Sequence, residues 1–113
     1  MPQELTFDIG EVAADAEVWA PDLLDSDTTI LTGAMILVDA SGGPRAITLP
    51  VAANTPGRML AIKKVDNSVN AVTVDGNGSD TIDGGSDVTL SDQYDSVVLG
   101  TDGIEWFILA LYP

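Results

Sequence analysis

From residue 28 onward the chain is a series of short apolar runs punctuated by turn-forming residues. Residues 34–39 are followed by Ser41-Gly42-Gly43-Pro44, residues 46–49 by Pro50, and Asn54-Thr55-Pro56-Gly57 precedes the next run. This regular spacing predicts an all-β domain. Pro50 and Pro56 have no N–H to give to a ladder, which places them in loops or at strand ends. Residues 58–65 and 71–74 are rich in β-branched and aliphatic side chains, and Asp66-Asn67-Ser68-Val69-Asn70 between them tolerates turns, so the two runs predict a hairpin. Asp75-Gly76-Asn77-Gly78 then lets the chain reverse again, which makes three strands in succession. Further runs at 88–90, 96–100 and 105–112 are separated by Ser91-Asp92-Gln93-Tyr94-Asp95 and Thr101-Asp102-Gly103. Asp102-Gly103 is the clearest hairpin signal in the chain. About eight short strands of this kind fit a small antiparallel β-sandwich or barrel.

The last run is apolar on both of its alternating faces, Trp106, Ile108 and Ala110 on one and Phe107, Leu109 and Leu111 on the other. A strand of that kind wants cover on both sides. In so small a domain the cover comes from its own sheet and arm or from identical subunits, so Trp106, Phe107, Ile108, Leu109 and Leu111 are candidate subunit-interface residues.

The first 27 residues differ from the rest. Glu4, Asp8, Glu11, Asp15, Glu17, Asp22, Asp25 and Asp27 are not offset by any basic residue. Val12, Ala16 and Trp19 fall at helical spacing, which allows a short helix over 11–19 ending before Pro21, whereas the alternation of Leu5, Phe7 and Ile9 suggests a short strand. Isolated apolar anchors among acids (Phe7, Ile9, Trp19, Leu23 and Leu24) mark an arm that docks on a partner and orders there, with packing on its own domain as the plainer reading. The expected organisation is therefore an extended acidic arm at 1–27 and a β-domain at 28–113.

Composition narrows the chemistry. The 113 residues suit one domain, small enough for oligomerisation to add useful burial. The formal charge of −14 repels phosphate backbones and anionic lipid, so nucleic acid and membrane are not expected partners. The chain has no Cys and no His, which excludes disulfides, thiolate chemistry, most hydrolase triads and most zinc sites. No apolar run approaches the roughly 20 residues of a spanning helix, and the N-terminal residues show neither a basic flank nor an apolar signal core.

Three motifs invite chemistry. Residues 75–83 fit the calcium-binding nonapeptide GGxGxDxUx except at its first glycine, but a β-roll needs stacked copies and the chain has one, so an ordinary turn is expected. The same stretch begins like an EF-hand loop with Asp75, Asn77 and Ser79, yet has Asp80 where glycine is needed and Ser86 where glutamate is needed. Asp80 with Asp83, or Asp92 with Asp95, could in principle serve as a glycosidase pair, but in so acidic a chain they are expected to form turns. Lys63-Lys64 is no nucleic-acid patch, because neighbours on a strand point to opposite faces; one of the two is expected to pair with an acid across the sheet. No catalytic residue, metal site or cofactor is expected, and the chain is not expected to be an enzyme.

Several segments together carry a likeness: Ala46-Ile47-Thr48-Leu49-Pro50, Thr55-Pro56-Gly57-Arg58, Ala61-Ile62-Lys63-Lys64-Val65-Asp66, Asn70-Ala71-Val72-Thr73-Val74, Asp80-Thr81-Ile82-Asp83-Gly84, and residues 102–109. They resemble a β-rich module of tailed-bacteriophage structural proteins, of the head decoration, head-fibre or tail-fibre type. The resemblance covers residues 28–112 and implies a non-enzymatic virion part, often a homotrimer. The brevity of the chain points to a capsid decoration (cement) protein on the capsid surface, with the major capsid protein as partner and synthesis in the bacterial host cytoplasm. The alternatives are a tail-fibre or baseplate component, or a cation- or glycan-binding β-module using residues 75–83 and Trp106.

Overall fold

A computed structural model describes residues 22–31 and 34–113. Within them the chain forms nine strands: β1 (Asp22–Leu24), β2 (Thr28–Thr29), β3 (Met35–Val38), β4 (Arg45–Thr48), β5 (Met59–Lys64), β6 (Val72–Asp75), β7 (Asp87–Leu90), β8 (Ser96–Thr101) and β9 (Trp106–Tyr112). A single 3₁₀ turn at Ala52–Asn54 interrupts them. The all-β expectation therefore holds. The helix expected over 11–19 and the strand expected around Phe7 lie outside the described residues.

The strands form two mixed sheets, ordered β9-β8-β5-β3-β1 and β2-β4-β6-β7. From β1 to β6 the chain alternates between them, so that β1, β3 and β5 pair in parallel in one sheet and β2, β4 and β6 in the other. Antiparallel pairing is confined to β5–β8, β8–β9 and β6–β7. This corrects the expectation of an antiparallel sandwich or barrel. Parallel neighbours need a long crossover, and each crossover here, the shortest being residues 25–34 between β1 and β3, contains a strand of the opposite sheet. The period-2 pattern is the same for both kinds of pairing, so it reports strands without reporting partners.

One consequence is that the expected hairpin of residues 58–65 and 71–74 does not form: β5 and β6 belong to different sheets. The loop between them turns, but its side chains are anchored elsewhere, as described below. The two other predicted reversals are present. β6 and β7 pair antiparallel with Val72 opposite Leu90, and β8 and β9 pair with Trp106 opposite Thr101. At the second reversal Asp102 Oδ1 accepts the N–H groups of Ile104 (2.8 Å) and Glu105 (3.1 Å), while Gly103 takes a φ of 92° that a side chain would resist.

The inward faces of both sheets meet in one apolar cluster. Ile36, Val38, Leu60, Ile62, Val97 and Leu99 come from the five-stranded sheet, and Ile47, Val72, Val74 and Leu90 from the four-stranded one. Each fully buried side chain of this size contributes roughly 1.5–3 kcal/mol relative to exposure. Trp106, buried in the same cluster, donates its indole N–H to Pro50 O at 3.2 Å.

Lys64 occupies an inward position of β5 and is fully buried. Its ammonium donates to Asp66 Oδ2 (2.7 Å), Asp66 O (3.1 Å) and Ser68 O (3.0 Å), which uses all three protons. Asp66 also accepts the N–H of Ala40 (2.7 Å), the N–H of Ser68 (3.0 Å) and the Ser68 hydroxyl. Asn70 Nδ2 donates to Ala40 O at 2.8 Å. The loop after β5 is thus tied to the end of β3. Of the two lysines it is Lys64 that pairs with an acid, and that acid lies two residues along the chain, not across the sheet where the sequence pattern puts it.

Candidate interaction surface

The two sheets present different outer faces. On the four-stranded sheet the register places Thr29, Thr48, Asp75 and Asp87 in one row and Ala46, Thr73 and Thr89 in the next. This is a polar, solvated face. Asp75 and Asp87 sit directly opposite one another, and burial first, then the neighbouring Asp87 charge, pushes the Asp75 carboxyl above the usual carboxylate range.

On the five-stranded sheet the outward positions are Leu23 on β1, Met35 and Leu37 on β3, Met59, Ala61 and Lys63 on β5, Ser96, Val98 and Gly100 on β8, and Phe107 with Tyr112 on β9. Leu23 is 66% exposed, Met59 56% and Tyr112 65%. Every large apolar side chain that a strand leaves exposed lies on this sheet. Among the described outward strand positions Lys63 is the only charged residue, and its ammonium lies 5.4 Å from the centre of the Tyr94 ring.

A register shift between Ile108 and Ala110 makes a bulge at Leu109, which folds over the outer face next to Gly100. A Cβ at Gly100 would lie 3.0 Å from Leu109 Cδ1 and 3.7 Å from Met59 Cγ, so the glycine lets both side chains close over the sheet. Arg58, Met59, Gly100, Asp102, Phe107 and Leu109 border an open hollow of about 270 Å³ here. Beyond the bulge, Leu111 is paired with Val97 and 51% exposed at the sheet edge.

The interface candidates of the last strand therefore divide. Phe107, Leu109 and Leu111 are on the surface, Ile108 is half-buried against the core, and Trp106 is fully buried. Trp106 has no surface to offer a neighbouring subunit or a sugar ring, which corrects both roles suggested for it. Of the arm anchors, Leu23 is exposed while Leu24 packs against the core, and the parallel pairing of β1 with β3 places residues 22–24 in the sheet. Phe7, Ile9 and Trp19 lie outside the described residues.

In the stretch that follows Asp75, the last residue of β6, three polar side chains are turned onto backbone. Asp80 Oδ2 accepts the Ala52 N–H (2.9 Å), Asn77 Nδ2 donates to Leu49 O (3.1 Å), and Asp83 Oδ1 accepts the Ile108 N–H (3.1 Å). A Cβ on Gly76 would run into the Asp80 carbonyl, which accounts for glycine there without an ion. Asp95 Oδ2 likewise accepts the N–H groups of Ser91 (3.1 Å) and Asp92 (2.9 Å). Among the described residues no three His, Cys, Asp or Glu side chains gather into a group that could hold a metal ion.

Residues missed in the sequence are Met35, Leu37, Met59 and Gly100. A signal for the three apolar ones was present: residues 35–38 are apolar at every position and residues 59–62 at every position, the same double-faced pattern that singled out the last strand. No protein-family model matches the chain, and no curated protein matches it in sequence.

Proposed function

We propose that this chain is a non-enzymatic virion structural protein, a capsid decoration protein that binds the mature shell as a homotrimer. The observation that carries the reading is an exposed, nearly uncharged apolar sheet face on a chain of net charge −14, where the carboxylates of Asp80, Asp83 and Asp95 cap backbone N–H groups. Such a surface serves assembly better than chemistry. The resemblance to phage head and fibre modules supplies the kind of assembly.

In this reading residues 1–21, with Phe7, Ile9 and Trp19 among five acids, form the arm that grips neighbouring major capsid subunits. A protein that binds only the expanded shell lowers that state's free energy and so opposes the outward pressure of packaged DNA. Weak contacts repeated over a lattice add through multivalency. The protein is made in the cytoplasm of the bacterial host and ends on the capsid surface.

The test is its copy number in purified particles, measured by quantitative mass spectrometry against the major capsid protein. A ratio near one is expected. A trace amount would move the assignment to a tail-fibre or baseplate part, and absence would end the virion reading. Deleting residues 1–21, which spares β1 and the sheet, is expected to abolish shell binding with an unchanged far-ultraviolet circular dichroism spectrum. Full binding by that variant would refute the arm.

A further inference from the structure

We propose that the outer face of the five-stranded sheet is where copies of this chain meet. The inference rests on the homo-oligomer reading above and extends it from the last strand to the whole sheet. A surface with Leu23, Met35, Met59, Phe107, Leu109 and Tyr112 exposed together is more apolar than isolated surface residues explain.

Charge selects the occupant. Two copies each carrying −14 repel, and a pair of like charges 10 Å apart in water costs about 0.4 kcal/mol before screening. That cost, summed over many pairs, is smallest where carboxylates are kept away from the contact. None of the carboxylates of residues 22–113 stands among this sheet's outward positions. A basic protein partner would be drawn to the opposite kind of surface, such as the four-stranded face with Asp75 and Asp87, or the acidic loops. An identical acidic copy is the partner for which a face with no carboxylate at its outward strand positions, and with Asp102 only at the rim of the hollow that Arg58 also borders, is the best place to touch.

Shape agrees with this choice. Ala61, Val98 and Ala110 form a low row across the sheet, flanked on one side by Met59, Phe107 and Leu109. The hollow over Gly100 can receive an apolar side chain from the facing copy. The apolar strip also reaches the edge strand through Phe107 and Tyr112, so the contact is continuous from face to edge.

The experiment is light scattering coupled to size exclusion on the full chain. The wild type is expected to run as an oligomer of the 11.7 kDa subunit, and higher salt should tighten it by screening net charge. Met59→Glu combined with Leu109→Glu is expected to give the monomer mass, whereas Thr73→Glu on the other sheet's outer face should leave the oligomer intact. Met35→Glu, exposed on a different strand, provides the same reading if the double variant fails to fold by circular dichroism. Folded face variants that keep the oligomer mass would overturn this assignment while leaving the homo-oligomer reading standing. A wild type that stays monomeric at hundreds of micromolar would overturn both, and particle copy number would still test the virion role separately.

Discussion

Replacing Lys64 with alanine is expected to lower the unfolding free energy by about 3–5 kcal/mol, as for other buried ion pairs that lose one partner. The substitution removes the cation beside Asp66, whose side chain is only 7% exposed, and leaves the carbonyls of Asp66 and Ser68 without their donor. Burial alone would push the Asp66 carboxyl up, but the hydrogen bonds from Lys64, Ser68 and the Ala40 N–H together hold it well below the usual carboxylate range. A depressed carboxylate contributes stability that is fully present above the unfolded-state value of about 3.9 and disappears as pH falls through the folded-state value. Acid should therefore weaken the wild type progressively below about pH 4, and this part of the pH dependence should shrink in Lys64→Met. Urea unfolding at several pH values measures both effects. A loss under about 1 kcal/mol at pH 7 would mean that water reaches the pair and that it is no buried anchor.

Trp106→Ala is expected to cost about 3–5 kcal/mol, within the range for large-to-small changes in cores. The ring has no exposed surface, and its indole N–H is hydrogen-bonded to Pro50 O. Its backbone joins β9 to the turn at 81–85, donating to Thr81 O at 2.9 Å and accepting from Asp83 N at 2.9 Å. Trp106→Phe should retain much of the apolar contact while leaving the Pro50 carbonyl unpaired, for a smaller loss of about 1–3 kcal/mol. Denaturant unfolding followed by circular dichroism separates the two variants. Equal losses for Ala and Phe would make the hydrogen bond, rather than the ring volume, the dominant contribution.

These two residues also show how far a single sequence can be read. The strands after residue 34 were legible because Leu60, Ile62, Val72, Val74, Val97 and Leu99 recur at every second position between turn signals. The Asp102-Gly103 reversal was legible because its geometry is local. The partner of each strand was not, because Ile36 meets Ile62 and Ile47 meets Val74 across connections whose course depends on contacts such as Asn70 to Ala40. That one of Lys63 and Lys64 would meet an acid was legible, but not that the acid is Asp66, because that partner is a loop residue and period 2 carries no information on what terminates a face. Trp106 looked like an interface residue because a doubly apolar strand does not reveal which of its faces the chain itself covers. Phe107 and Leu109 of the same strand are on the exposed side, so the surface was half visible.

The alternation of the chain between sheets has a kinetic meaning. Parallel pairing of β3 with β5 and of β4 with β6 each requires closing a loop of roughly 25 residues, an entropy that must be met before the contact forms. The β8–β9 pair closes over a few residues and contains Trp106. Folding should therefore begin at the C-terminal hairpin and wind backward, with β1 and β2 joining last at the sheet edges. On the ribosome the order of appearance is the reverse, since the nucleating hairpin follows the other strands. Stopped-flow kinetics would register this as slowed folding for Val97→Ala and accelerated unfolding for Leu24→Ala. A chain built this way stays open until β9 has been made, so its sticky sheet face is assembled only when all of these strands are present and other folded copies are there to meet it.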